Sequence, residues 1–512
     1  MVSPTTMPHG LPPGTLSSGM DLLLNFLYSY LPEPPVRTTA SLCCAAASDS
    51  ADRVSRLPDD LLRRVVSLLP AKDGARTTVL SSRWRGLWRS APLVLVDTHL
   101  LPGGDGERRP ARAGAASRAV TNAVSAVLES HPGPFPFASL TCSFMVHADD
   151  PLLARWFQLL AAKGVHELVF VNRPFPLQGL RLPPAIFSCA SLRRLCIGAW
   201  VLPDTAALPR NAAFPNLRHL FLSCVVMEAN DLDFVLAVSP ALEILTVTGS
   251  LTPLRARLTT HSLRSAQFCM SIMNEVAVVD APRLERLFLW KNWNERHGLS
   301  DVKTIVKIDH VSKLRVLGYL EPGAHVLQIG NTIIEAGTKA STHNTVPSVQ
   351  MLAVQLQFAF CNEVEMLPIF LRCFPSVETL VVESRAHRET LSNLNLKIWQ
   401  RANPIECVQS HLRTLAFHEL QGRHNEFDFL TFIAENARKL ERMFIVMKSE
   451  LTYAERQVVV AGVGALYSAH WASRDCTVQY TISSLPVGSS TWNFPAGSEL
   501  SLDDPFEAFR ED

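Results

Sequence analysis

The sequence predicts an α/β chain in two parts: a small set of three short helices, followed by a curved solenoid with parallel strands on one face and helices on the other. Three observations carry this prediction. A short apolar pattern at positions 1, 4 and 6 recurs eleven times, a proline stands two residues before five of the copies, and a compact stretch near residue 60 holds three helix starts within about forty residues. An ordinary doubly wound α/β domain is the alternative, and only the repeat count speaks against it.

In chain order, residues 1–51 open with Pro, Gly, Ser and Thr without apolar periodicity, and 32–51 have the same character, so both stretches are expected to be flexible. Between them Asp21–Leu31 (DLLLNFLYSYL) reads as a short amphipathic helix, about half of the roughly 20 residues needed to span a bilayer.

Residues 52–92 are compact. Pro58 suits the first position of a helix, and Asp59 and Asp60 meet the positive end of its dipole. Leu61, Leu62, Val65, Leu68 and Leu69 form its apolar stripe, and Pro70 stops it. Asp73 can cap a second helix, and Ser81 or Ser82 a third that carries Trp84, Leu87 and Trp88. A unit of about 40 residues normally needs a metal, a disulfide or a partner, and this one has no signature of the first two. A partner is the physical expectation.

The same residues, LPDDLL, SLLP, ARTTVLS and RWRGLW, closely resemble the plant F-box pattern. The resemblance implies docking on the Skp-family adaptor of an SCF-type (Skp, cullin, F-box) ubiquitin ligase. By that likeness Leu57, Pro58, Leu61, Leu62, Leu69, Pro70, Val79, Leu80, Ser81 and Trp84 form the adaptor interface. Val65, Leu68, Leu87 and Trp88 are expected in the motif's own core, because stripes at helical spacing usually are. Gly74 departs from the pattern, which commonly has alanine there; glycine weakens the second helix by about 1 kcal/mol.

Residues 93–134 read as a linker, with LPGGDGERRPARAGA at Leu101–Ala115, and a connecting helix. Repeats occupy 135–395. Clear copies of the pattern are Leu192, Leu195, Ile197; Leu217, Leu220, Leu222; Leu242, Leu245, Val247; and Leu284, Leu287, Leu289. Looser copies begin at Val165, Leu263, Leu314, Val349, Val377, Leu412 and Leu440. At an apolar fraction of 47%, roughly one random window in ten matches, so the regular spacing of 21 to 35 residues decides. That spacing straddles the leucine-rich-repeat period.

Pro215, Pro240, Pro282, Pro347 and Pro375 end the preceding segment and let each strand begin. Helix-like stretches such as Ala229–Val238 lie between strands, and Pro368 is expected to shorten or kink the one at 364–374. One such module cannot bury its own apolar face, so neighbours must stack, and the strand-lined face becomes a large binding surface.

Downstream, Trp399, Pro404, Cys407, HLRTLAFHELQG and NEFDFLTFIAENARKLERMFI resemble the FBD found after leucine-rich repeats in plant F-box proteins, so 396–450 is expected to form FBD-like terminal repeats that cap the solenoid. The tail, 451–512, offers a helix near Ala454–Ser468, a strand in CTVQYTIS and an acidic end.

Composition bounds the function. A net charge of +1 gives no global field for a nucleic acid or an anionic membrane. The local balance of +5 between Asp52 and Arg89, with Arg83, Arg85 and Arg89 beside tryptophans, is expected to decorate an exposed helix face. Cysteines without metal-ligand spacing, the absence of a glycosylation sequon and the lack of a secretory signal indicate an intracellular site, nucleus or cytoplasm. Metalloprotease, phosphate-loop and serine-hydrolase motifs are missing, so no cofactor, metal or catalytic residue is nominated. The expected role is a non-catalytic substrate receptor, bound to the adaptor and through it to a cullin, holding an unknown protein target. A non-degradative scaffold that uses the adaptor as a folding partner stays open.

Overall fold

The computed structural model describes residues 31–36, 54–101, 113–142, 145–172, 180–250, 252–290, 303–309, 311–335, 338–339, 341, 344–385, 398–401 and 404–482. The helix expected at 21–31, apart from Leu31, and the acidic end of the chain lie outside these residues. The chain divides into two compact units, Met1–Thr252 and Pro253–Asp512.

In the first unit a 3-10 turn at Val54–Arg56 leads into helices α1 (Asp59–Ser67), α2 (Ala71–Arg76) and α3 (Ser82–Ser90). Pro58 and Pro70 each stand one residue before a helix, where the missing N–H and fixed φ close the preceding segment. Asp73 does not cap α2 as expected; it sits in the first turn and pairs with Arg76 at 2.8 Å. Ser81 does cap α3, its Oγ accepting the Trp84 N–H at 3.4 Å.

The sheet of this unit runs β1 (Val94–Val96), β2 (Phe137–Leu140), β3 (Glu167–Val171), β4 (Arg194–Gly198), β5 (His219–Ser223) and β6 (Ile244–Thr248), in that order and all parallel. Helices α4 (Ala113–Ser130), α5 (Asp150–Ala162) and α6 (Asp231–Ala237) lie between strands in the chain. Residues 93–134 thus hold the sheet's first strand as well as a connecting helix. The reason is local: Leu93–Val96 is apolar throughout and is buried on both sides, so it joins the sheet rather than bridging to it.

Register explains the 1, 4, 6 pattern. Position 4 residues Leu168, Leu195, Leu220 and Leu245 align across neighbouring strands in one buried row, with Leu95 and Ala138 completing it. Burying each leucine contributes roughly 1.5–3 kcal/mol. Repeats are also tied by backbone: the carbonyls of His166, Arg193 and Arg218 each accept two successive N–H groups from the next repeat at 2.7–3.1 Å.

The second unit continues with β7 (Leu254–Leu258), β8 (Ser265–Cys269), β9 (Met273–Val278), β10 (Arg286–Trp290), β11 (Thr304–Ile308), β12 (Val316–Leu320), β13 (His325–Ile329), β14 (Thr332–Ile333) and β15 (Met351–Leu356). Next come α7 (Cys361–Cys373), β16 (Thr379–Ser384), α8 (Ile398–Arg401), α9 (Glu406–Ser410) and β17 (Thr414–Leu420). The unit ends with α10 (His424–Asn436), β18 (Arg442–Met447), α11 (Tyr453–Tyr467) and β19 (Thr477–Ile482). Its main sheet is parallel throughout, in the order β8, β10, β12, β15, β16, β17, β18, β19.

The fold class is the expected one, a helical segment followed by parallel-strand repeats, but three details differ. Between residues 254 and 333 the connections are strands, not helices, and form a second sheet ordered β14, β13, β11, β9, β7. Its strands alternate, as in Leu254, Ala256 and Leu258 buried against Arg255 and Arg257 exposed, the period-2 signature of a half-buried strand. Secondly, Pro368 does not shorten α7, which runs through it to Cys373. Thirdly, β18 pairs with β19, so the FBD-like strands β17 and β18 are not the last of the sheet.

Candidate functional site

Of the described residues, those from Val54 to Leu80 leave six large apolar side chains in water: Val54, Leu61, Val65, Leu68, Val79 and Leu80. The reason lies in the phase of α1. Leu62 and Val66, four apart, are fully buried, whereas Leu61, Val65 and Leu68 follow the i, i+4, i+7 spacing of a second stripe that none of the described residues covers. A helix this short is normally apolar on one face; here two faces are apolar.

The structure therefore sorts the sequence-predicted interface residues. Leu61, Val79, Leu80, Pro58 and Ser81 are exposed, and Leu57 and Leu69 are half-buried. Leu62, Pro70 and Trp84 are buried in the free chain: α3 packs against α1, and Pro70 bridges to Val94. Val65 and Leu68, expected in the core, face solvent instead, and Val66 takes the core position. Leu87 is buried and Trp88 half-buried. Spacing alone could have separated the two stripes, but not which one faces inward.

Arg83 organises the edge of this surface. Its guanidinium donates to the Asp59 carboxylate at 2.6 and 2.8 Å, to the Leu57 carbonyl at 2.7 Å and to the Ser55 carbonyl at 2.5 Å. A planar fork with five donors suits this convergence of acceptors, and it ties the arm carrying Val54, Leu57 and Pro58 to α3. Arg83 is committed to this clamp, while Arg85 and Arg89 stay exposed.

The repeat strands offer a second surface. In the first unit, the residues that alternate with the interior leucines align in two rows on the opposite face of the strands: Val96, Ser139, Val169, Cys196, Phe221 and Thr246, all buried except the half-buried Phe221, and Phe137, Glu167, Arg194 and His219, half-buried after the buried Phe137. Arg194 and Glu167 pair across it at 3.3 Å, and His219 is held below its ordinary pKa, first by burial and then by Arg194.

The FBD-like stretch is built around aromatics. Trp399 packs on Phe429 and Phe432 with ring centroids 5.2 and 4.9 Å apart. Cys407 is buried, with its Sγ–H donating to the Leu371 carbonyl at 3.3 Å and its thiol pushed up to about 12 by burial, so it is not a nucleophile at neutral pH. Glu426, in the first turn of α10, is fully buried and accepts from Ser384 Oγ at 2.5 Å and from the Arg423 N–H at 2.7 Å; burial raises its pKa. Gly422 turns the chain at φ +87°, and Gly462 lets Phe427 approach to where a Cβ would lie 2.2 Å from its ring.

Among the described residues no group of His, Cys, Asp and Glu could hold a metal ion, and no helix is long and apolar enough to cross a membrane.

Comparison with known proteins bears on both surfaces. The F-box domain family matches residues 54–95, the family described as FBD-associated F-box protein At5g56370, LRR repeats, matches 153–382, and the FBD family matches 400–445. The chain is similar to F-box/LRR-repeat protein 13 of Arabidopsis thaliana, 26% identical over 435 residues that cover 79% of this chain and 91% of that one. It is also similar to F-box/FBD/LRR-repeat protein At1g78750 of the same plant, at 24% over 460 residues, covering 81% and 94%.

Proposed function

Since the chain belongs to the plant F-box/FBD/leucine-rich-repeat proteins, we propose that it is the substrate-recognition subunit of an SCF-type ubiquitin ligase, docking on a Skp-family adaptor and through it on a cullin. The observation that carries the reading is the set of exposed apolar side chains at Leu61, Val65 and Leu68 along α1 and at Val79 and Leu80 just before α3. Isolated exposed apolar residues need no explanation, but five within twenty residues, three leucines and two valines, mark an interaction site. Leu57, Pro58, Leu69 and Ser81 complete the docking surface, and Arg83 fixes its edge.

The role is positional. Docking holds the repeat body at a set place on the ligase, and the body holds a protein target, so the target's lysines are presented at high effective concentration to a conjugating enzyme. Chemistry belongs to other subunits, and the work takes place inside the cell, in nucleus or cytoplasm. Binding of the purified chain to a Skp-family adaptor tests the reading. Saturable binding that is lost when Val79 and Leu80 are changed supports it; absence of binding by a chain of intact secondary structure overturns it.

A further inference from the structure

The outward strand face of the first unit is not bare. Leu31 is buried against Val169, Val171 and Cys196, with Phe221 beside them, and Val36 is buried against Val94, Val96 and Phe137. These neighbours belong to β1 through β5 and lie on the outward side of the strands, opposite the leucine rows of the interior. A segment remote in sequence from those strands thus crosses the surface that the repeats would offer to a target.

The chemistry of the segment suits such a crossing. Leu31–Val36 reads LPEPPV, and its three prolines favour the extended polyproline conformation and cannot donate to a strand ladder. Five steps of about 3.1 Å span roughly 15 Å. Three inter-strand spacings of about 4.8 Å cover nearly the same distance. The two apolar side chains therefore fall naturally on strands at opposite sides of the stripe. Leu31 and Val36 are the buried side chains of this short segment, and its prolines reduce the entropy lost on ordering it, as they would for any extended occupant of the same kind. Residues 37–53 tether it to the helical segment that begins at Val54, which keeps its local concentration high.

From this geometry we infer that the outward face of β1–β5 is a peptide-binding surface, that Leu31–Val36 is its resident occupant, and that the target displaces it with an extended, proline-containing segment bearing two apolar side chains five residues apart. The inference rests on the receptor reading above, but its test does not use the adaptor. In that arrangement the N-terminal segment makes the receptor self-blocking until a competing target arrives.

Cys196 reports on the face, because its thiol lies beneath Leu31 and is buried. The full chain and its L31D/V36D variant are treated with N-ethylmaleimide under native conditions, and labelling of each cysteine is followed by peptide mass mapping. Cys189 and Cys224, buried elsewhere in the same unit, serve as controls for unfolding. Cys196 is expected to label at least tenfold faster in the variant, with Cys189 and Cys224 unchanged. A synthetic peptide of residues 27–40 added in trans should restore protection, and the same peptide carrying both aspartates should not. Unchanged Cys196 labelling overturns the inference, as does faster labelling that the peptide fails to reverse, which would make the segment a fixed part of the fold. Should the controls label as well, Leu31→Ala, which introduces no charge, is read by the same criteria. Loss of adaptor binding in the unmodified chain would sink the receptor reading and leave these labelling results standing.

Discussion

Changing Val79 and Leu80 together to alanine probes the docking surface where it is most open, since these residues are 83% and 64% exposed. Leu→Ala removes three carbon groups and Val→Ala two, each worth about 0.8 kcal/mol when fully withdrawn from water. Scaled by the exposed fractions, the loss on docking is about 1.5 kcal/mol for Leu80 and about 1.3 kcal/mol for Val79, together about 3 kcal/mol. That corresponds to roughly a hundredfold in Kd. The free chain should hardly notice, because truncation of exposed side chains usually changes stability by no more than about 0.5 kcal/mol. Leu62→Ala is the contrast: the residue is fully buried, so it should cost about 2–5 kcal/mol of folding free energy and affect docking only through the fold. Titration calorimetry against a purified Skp-family adaptor, beside thermal melting by circular dichroism, reads both quantities. A V79A/L80A chain that binds within about threefold of the original would refute the reasoning, as would a lower melting temperature that accounts for its weaker binding.

Three further outcomes follow from the geometry. Arg83→Met should free the arm at Val54–Pro58, seen as faster amide exchange there, and weaken docking about tenfold, with α3 still helical; an unchanged exchange rate would show that the clamp is redundant. Acid should destabilise the chain between pH 6.5 and about 4. Burial lowers His131 to about 4, His325 to about 3 and His418 to about 4, so in that window the unfolded chain binds protons that the folded chain does not, and stability falls as pH falls. Glu426, raised by burial, works in the opposite sense, and three histidines outweigh it; a melting temperature that is flat from pH 7 to 5 would contradict this. Gly422→Ala should cost about 2 kcal/mol, since a positive φ is unfavourable for a residue with a Cβ and the new methyl would sit 3.0 Å from Val459 Cγ2; urea unfolding monitored by far-ultraviolet circular dichroism measures it.

Which parts of the molecule were legible in advance depends on how local their cause is. The eleven strand starts could be read because positions 1, 4 and 6 must be buried in every repeat whatever its neighbours, and proline two residues earlier acts on the backbone alone. The Ser81 cap likewise follows from nearby residues. The outer sheet of β7, β9, β11 and β13 had a signal, the strict alternation in LRARL, that the expectation of a helix between strands obscured.

Other features depended on groups far apart in the chain. Leu61 and Leu62 are chemically the same and adjacent in sequence, and only the packing of α3 decided that one supports the surface while the other forms it. Arg83 reaches back across more than twenty residues to its carbonyl partners. Leu31 and Val36 sit in a proline-rich stretch with no periodicity, and nothing in their own neighbourhood points to strands that lie 58 to 190 positions later. Apolar patterning determines which side chains must leave water, whereas the tertiary structure alone determines which surface receives them, because burial is a contest among all the faces that the folded chain brings within reach.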